Sequence, residues 1–132
     1  MVQSSDLNSD RYTLKLADIP AATKSEAESK CLQDAYRNLH TTANQLTNDP
    51  ALRNQFKYQK DQCIGKTLSD KVWNEQVAPG IDTMINDGKE AVRIDYSKVA
   101  VDKIGMYIAN KLSERNYVNE PRDWIKDIVV KF

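Results

Sequence analysis

Glycine and proline are scarce, four of each in 132 residues. So few chain breakers leave room for long uninterrupted helices. Histidine is scarcer still: His40 stands alone, which excludes a zinc-binding histidine pair. An excess of either charge is also missing. Lysine plus arginine and aspartate plus glutamate both number 19, whereas a nucleic-acid binder usually carries a basic excess or stripe. The closest basic pair, Lys57 and Lys60, is interleaved with Gln59 and Asp61. The composition thus argues against nucleic acid as a partner. No apolar run reaches the roughly 18 residues that a membrane-spanning helix needs, so no membrane insertion is expected. Residues 1–10 are polar and lack the apolar stretch of a signal peptide. Two histories fit: a cytoplasmic protein, or a mature chain with Met1 as an added start.

What remains is a globular composition, 40% apolar and 29% charged. The length suits one domain that buries about two thirds of its unfolded surface and needs no staple merely to fold. Tyr12, Leu14 and Leu16 alternate with Thr13 and Lys15 in a short strand-like pattern closed by Pro20. From Thr23 the apolar positions change period. Ala27, Cys31, Ala35 and Leu39, with Leu32, Tyr36, Ala43 and Leu46, follow one buried helical face. Asn48-Asp49-Pro50 ends that helix and caps the next, with Asp49 as N-cap and Pro50 at the first helical position. The second helix carries Leu52, Phe56, Cys63 and Ile64. A continuation holds Leu68, Val72, Trp73 and Val77, and Pro79-Gly80 is expected to break the chain. A short helix with Ile81, Met84 and Ile85 follows. Val92, Ile94 and Tyr96 alternate and could pair with residues 12–16. A long helix then buries Val101, Ile104, Ile108 and Leu112, and a last helix opens at Asn119 and Pro121 with Trp124, Ile125, Ile128 and Val129 on its apolar face. The expectation is an all-α fold: a single-domain helical bundle of about four to five helices with room for a minor two-stranded β pairing. Residues 1–22 form an extended N-terminal arm in this reading, and residues 23–132 the bundle domain.

Cys31 and Cys63 are the two cysteines, and their midpoint falls beside the turn at Asn48-Asp49. In an antiparallel hairpin of the first two helices they stand at nearly the same height on facing stripes. That geometry suits a disulfide, which needs Cα atoms within about 7 Å, and a disulfide points to an oxidising compartment, periplasmic or secreted. The alternative is two unpaired thiols acting as small buried apolar residues in a cytoplasmic protein.

Chemical motifs fail on inspection. His40 reads as a partly exposed helical histidine without a triad around it. Asp123 and Asp127 lie one helical turn apart at ordinary surface positions. With Gly88 at the sixth position of a calcium loop, Thr83, Ile85 and Ile94 occupy places where the loop needs carboxylates. Gly65-Lys66-Thr67 mimics the end of a phosphate loop, but Lys60 stands where its first glycine belongs. No cofactor, metal or catalytic residue is therefore assigned. Among the aromatics, Trp73 and Trp124 read as core, and Tyr117, in the loop around Arg115, as the best interface candidate.

Cys31, Tyr36 and Leu39, followed by Leu52-Arg53, Gln55, Lys57-Tyr58 and Asp61 before Cys63, loosely resemble the cysteine-bounded helical hairpin of LprI-type lysozyme inhibitors. The resemblance covers about a quarter of the chain. The segment between the cysteines is shorter here, Phe56 stands near where that family has a tryptophan, and Lys60-Asp61 replaces its Arg-Asp.

The functional expectation is a non-enzymatic protein-binding module whose partner is another protein, an extracytoplasmic inhibitor or immunity-type protein acting on a secreted or cell-wall-directed enzyme. Tyr12, Leu14 and Leu16 on the arm, with Arg115 and Tyr117 on the late loop, are its candidate contact residues. The alternatives are a cytoplasmic helical adaptor or phage or virus accessory protein with reduced cysteines, and an enzyme working through carboxylates.

Overall fold

A computed structural model describes residues 13–132. The first strand, β1 (Thr13–Lys15), precedes three helices: α1 (Ala21–Asn38), α2 (Ala43–Asn48) and α3 (Pro50–Val72). A π-helical turn, Trp73–Val77, leads into α4 (Ala78–Asn86). Then come β2 (Ala91–Asp95), α5 (Ile104–Glu114), β3 (Val118–Arg122) and β4 (Asp127–Lys131). The described residues are 60% helical and 15% strand, with a four-stranded mixed sheet. This overturns the all-α expectation: the fold is α/β. The described residues fall into two compact units, one of residues 13–19 and 69–132, the other of Pro20–Leu68.

In the Pro20–Leu68 unit, α1 buries Ala27, Cys31 and Ala35 along one stripe. Small residues at this four-residue spacing let a neighbouring backbone come close. Cys31 and Cys63 form a disulfide-distance pair with Cα atoms 5.6 Å apart, and the Thr67 hydroxyl sits 3.8 Å from the Cys31 sulfur. Tyr36 and Phe56 stack with ring centroids 4.7 Å apart. The first helix stops earlier than its apolar period suggests. His40 takes a positive φ of 50° just past α1, not a mid-helix place. Thr42 and Gln45 then form a reciprocal capping box that starts α2. Asp49 caps α3 as expected, its carboxylate accepting from the Leu52 N–H at 3.1 Å.

The sheet unit is ordered β1-β2-β4-β3. Of the pairing open to residues 12–16 and 91–96, Thr13–Lys15 with Arg93–Asp95 forms as a parallel ladder, Leu14 opposite Ile94. The last helix of the expectation is instead a β-hairpin. β4 pairs antiparallel with β2 on one side and β3 on the other. Val92, Ile94, Ile128 and Val130 are opposed in register on one face and fully buried. α5 packs on β3 and β4 and buries Ile104, Ile108 and Leu112, as its periodicity predicts.

Pro79-Gly80 does not break the chain. Proline lacks the N–H that would bond the carbonyl four residues earlier, and its ring crowds that carbonyl. Here the π turn widens the helix just before Pro79, and the Ala78 N–H bonds the Trp73 carbonyl, five residues back. Gly80 then lies directly against Leu14, where a Cβ would meet the Leu14 Cδ2 at 2.6 Å. From the same turn, the Gln76 amide accepts from the Ala17 N–H and donates to the Ala17 carbonyl, both at 2.7 Å.

The cysteine pair gives a direct test. Closing a loop across a sequence separation of 32 stabilises by about 3–4 kcal/mol in the chain-entropy account. Intact mass should rise by two hydrogens on reduction. Denaturant unfolding of the Cys31→Ala, Cys63→Ala double variant should show a loss of that size. Two free thiols in non-reduced protein, or a double variant as stable as the parent, would refute the covalent link.

Candidate functional site

The charged face of the sheet is organised around Asp127. Lys15, Asp95, Asp127 and Arg122 lie in one row across the four strands, and Arg93 sits one pair further along β2. Asp127 is fully buried. Its carboxylate accepts from Arg122 Nε at 2.8 Å and Nη2 at 2.6 Å, and from Arg93 Nη1 at 2.9 Å. Burial opposes ionisation of Asp127, but the hydrogen bonds and charges of Arg122 and Arg93 outweigh it and hold the carboxyl below the usual aspartate range. Asp95 is treated likewise: burial raises it, and the hydrogen bonds from Ser97 with the charges of Arg93 and Lys15 bring it below its ordinary value. Both neighbouring aspartates therefore stay ionised near neutrality, and neither is a proton donor there. Asp127 is not the surface residue of a last helix that the sequence suggests. Its partners come from β2 and β3, 34 and five residues away.

This network holds the base of the β3–β4 hairpin. The turn Asp123-Trp124-Ile125-Lys126 closes with the N–H groups of Ile125 and Lys126 both bonding the Arg122 carbonyl, and Lys126 adopts a φ of 65°. Trp124 sits at the tip, 80% exposed, beside Ile125 at 43%. The core placement expected for Trp124 is thus corrected, whereas Trp73 is buried, with the Arg115 guanidinium 5.2 Å from its ring centre.

A pocket of about 270 Å³ adjoins the tip. The turn residues Asp123 and Lys126 line it together with Tyr96, Val99, Lys103 and the first turn of α5. Lys103 precedes α5 in the left-handed region, φ 59°, and supplies no side-chain cap. Tyr96 lies against Gly105, where any Cβ would collide with its ring and hydroxyl. The Tyr96 phenol is raised above its ordinary value, first by burial and then by the charges of Asp123 and Asp127. Met106 stands 63% exposed on the same wall.

The residues anticipated as contacts are placed differently. Tyr12 lies outside the described residues. Leu16 is 2% exposed and belongs to the core, and Leu14, half-buried, packs on Gly80. Arg115 covers Trp73 and approaches Asp82 at 3.7 Å. Tyr117 packs edge-on against Phe132, with centroids 5.2 Å apart. These side chains do not form one surface. In the Pro20–Leu68 unit a shallow groove of about 530 Å³ lies beside the cysteines, lined by Leu32 and Ile64 among Ser25, Glu28, Lys60 and Asp61. Among the described residues no group of three or more His, Cys, Asp or Glu side chains could hold a metal ion, and no helix is long and apolar enough to cross a membrane.

Asp127→Ala should leave two part-buried arginines facing each other and cost about 2–3 kcal/mol, less than a fully enclosed pair because both arginines reach water. The pH dependence has a definite sign. A carboxyl depressed on folding contributes stability that is fully present above its ordinary value of 3.8 and is lost as pH falls through the lower native value. Urea unfolding from neutral to acid pH should therefore show a steeper loss in the parent than in Asp127→Ala. Parallel curves, or a variant within about 0.5 kcal/mol of the parent, would contradict this account.

No family model matches the chain, and no curated protein or solved structure matches it.

Proposed function

We propose that this chain is a non-enzymatic binding module that acts outside the cytoplasm, as an inhibitor or immunity-type protein for a secreted or cell-wall-directed enzyme, and that the β3–β4 hairpin tip is its contact. The observation that carries the reading is Trp124, a tryptophan 80% exposed at the tip of a hairpin whose base is tied by a buried carboxylate and two arginines. Tryptophan in water forgoes a large apolar burial, and tryptophan is among the residues most enriched at binding hot spots. The rigid base limits the entropy lost when the tip is engaged. Ile125 adds apolar area, and Lys126 adds a cation on the same turn. A glycan-cleaving enzyme is the occupant we favour, because its cleft is open, accommodates flat rings and carries two carboxylates. An indole beside an ammonium group matches that chemistry. The cysteine pair supports the compartment, since disulfides persist where the environment is oxidising.

The test is inhibition of purified cell-wall-cleaving enzymes, read as clearing of a cell-wall suspension. The oxidised protein should inhibit at near-stoichiometric concentration. Trp124→Ala should weaken inhibition about 30-fold, the equivalent of roughly 2 kcal/mol, while the exposed Tyr58→Ala should leave it unchanged. No inhibition across the panel would remove the inhibitor reading, and equal inhibition by Trp124→Ala would remove the hairpin from it.

A further inference from the structure

The two units are held by different means. The sheet unit buries Ile81, Ile94, Ile108, Leu112 and Ile128 with no exposure, and large aliphatic side chains removed from water are the main source of stability in a fold. The Pro20–Leu68 unit has little of this. α1 buries Ala27, Cys31 and Ala35, and α2 buries nothing. From α3 the unit adds Phe56 and Leu68. A core of two alanines, a cysteine and two large residues does not offset the conformational entropy of ordering the segment. The Cys31–Cys63 pair, with a sequence separation of 32, is the covalent restraint in that unit, and its stability rests on that pair.

The two cysteines are also unequal in access. Cys31 is 0% exposed, whereas Cys63 is half-buried. Exchange requires an attacking thiolate to reach the sulfur that it bonds, so Cys63 is the residue attacked and Cys31 the one that leaves. The Thr67 hydroxyl, 3.8 Å from the Cys31 sulfur, stands where it can donate to the departing thiolate. A hydrogen bond to the charged form stabilises it.

We infer that the Cys31–Cys63 pair is a redox gate on the Pro20–Leu68 unit: a dithiol reductant enters at Cys63, Thr67 assists the departure of Cys31, and the unit then opens while the sheet unit stays folded. One thiolate of the reductant bonds to the Cys63 sulfur. The Cys31–Cys63 bond breaks with its electron pair on Cys31, which takes up a proton. The reductant's second thiolate bonds to its first sulfur and displaces Cys63, which takes up the other proton. The protein gains two hydrogens, and the dithiol becomes a disulfide. The Trp124 hairpin belongs to the other unit, so the gate does not depend on the binding-module reading. A chain built in this way keeps its full fold only in oxidising surroundings, and in reducing ones it presents Pro20–Leu68 as an opened segment.

The experiment is amide hydrogen exchange of the full chain at neutral pH without denaturant, before and after treatment with dithiothreitol, with intact mass following the reduction. Reduction should lower the protection of α1, and of α3 as far as Leu68, roughly 300-fold. It should leave β2, β4 and α5 as protected as before. Thr67→Val keeps the shape of the side chain and loses the donor, so it should be reduced about fivefold more slowly than the parent. Thr67→Ser, which keeps a hydroxyl, should be reduced at the parent rate. Protection lost evenly from both units, protection kept in both, a pair that dithiothreitol opens only in denaturant, or a Thr67→Val variant reduced as fast as the parent would overturn the gate.

Discussion

The sheet unit depends on one buried ion network. Asp127 has no access to water, and an ionised carboxylate in that position is tolerable only with its lone pairs occupied. Arg122 and Arg93 occupy them from the strands on either side of β4. Such a network is weak evidence for net stability, because desolvation offsets much of the attraction. Its stronger effect is on register. A slip of one residue in β4 would turn Asp127 towards the face of Val92 and Ile94, and would turn Ile128 and Val130 out among the arginines. The alternatives are thus penalised on both faces at once. With β4 fixed, the position of the four-residue turn follows, and so does everything mounted on it: Trp124 and Ile125 at the tip, Asp123 and Lys126 at the pocket wall.

The π turn sets the other boundary of this unit. A straight α-helix through Val77 would meet Pro79 with a crowded carbonyl at Glu75. The wider turn removes that conflict without ending the helix, and helical chain continues to Asn86. Within the same turn Trp73 and Gln76 take on tertiary tasks. Trp73 receives the Arg115 guanidinium, and Gln76 clasps both backbone groups of Ala17 as a neighbouring strand would. Gly80, one turn further, allows β1 to lie close. The Pro79-Gly80 dipeptide thus serves packing, where the sequence alone suggests punctuation.

How much was legible follows from the range of each interaction. The buried stripe of α5, the Asp49 cap, the pairing of β1 with β2 and the proximity of Cys31 to Cys63 all rest on local periodicity or on spacing about a turn, and these were readable. The late hairpin was not. Trp124, Ile125, Ile128 and Val129 satisfy a helical period as well as Ile128 and Val130 satisfy a strand period, and Pro121 fits the first turn of a helix. The choice is made by partners far away in sequence, Val92 and Ile94 on β2, which no local window contains. The β-branched run Ile128-Val129-Val130 was the one local signal in favour of a strand. For the same reason the candidate site went unread. Arg93 is 34 residues from Asp127, and the pocket joins the end of β2, the start of α5 and the hairpin turn. Leu14 and Leu16 alternate on one side of β1, Leu16 buried and Leu14 against Gly80.

Two departures from local preference converge at the hairpin and the pocket. Two lysines, Lys103 and Lys126, adopt left-handed backbone that costs a residue with a side chain roughly 1 kcal/mol. A tryptophan remains in water. Each could be relieved cheaply by substitution, with glycine at either turn or a polar residue at the tip. Lys126 connects the two, because its backbone shapes the turn that presents Trp124 while it lines the pocket of Tyr96. Departures of this kind are expected where a surface is shaped for something other than its own folding. They lie next to one another on a scaffold whose register is fixed by Asp127, so a partner at the tip would engage the short segment Asp123–Lys126, whose ends also line the neighbouring pocket.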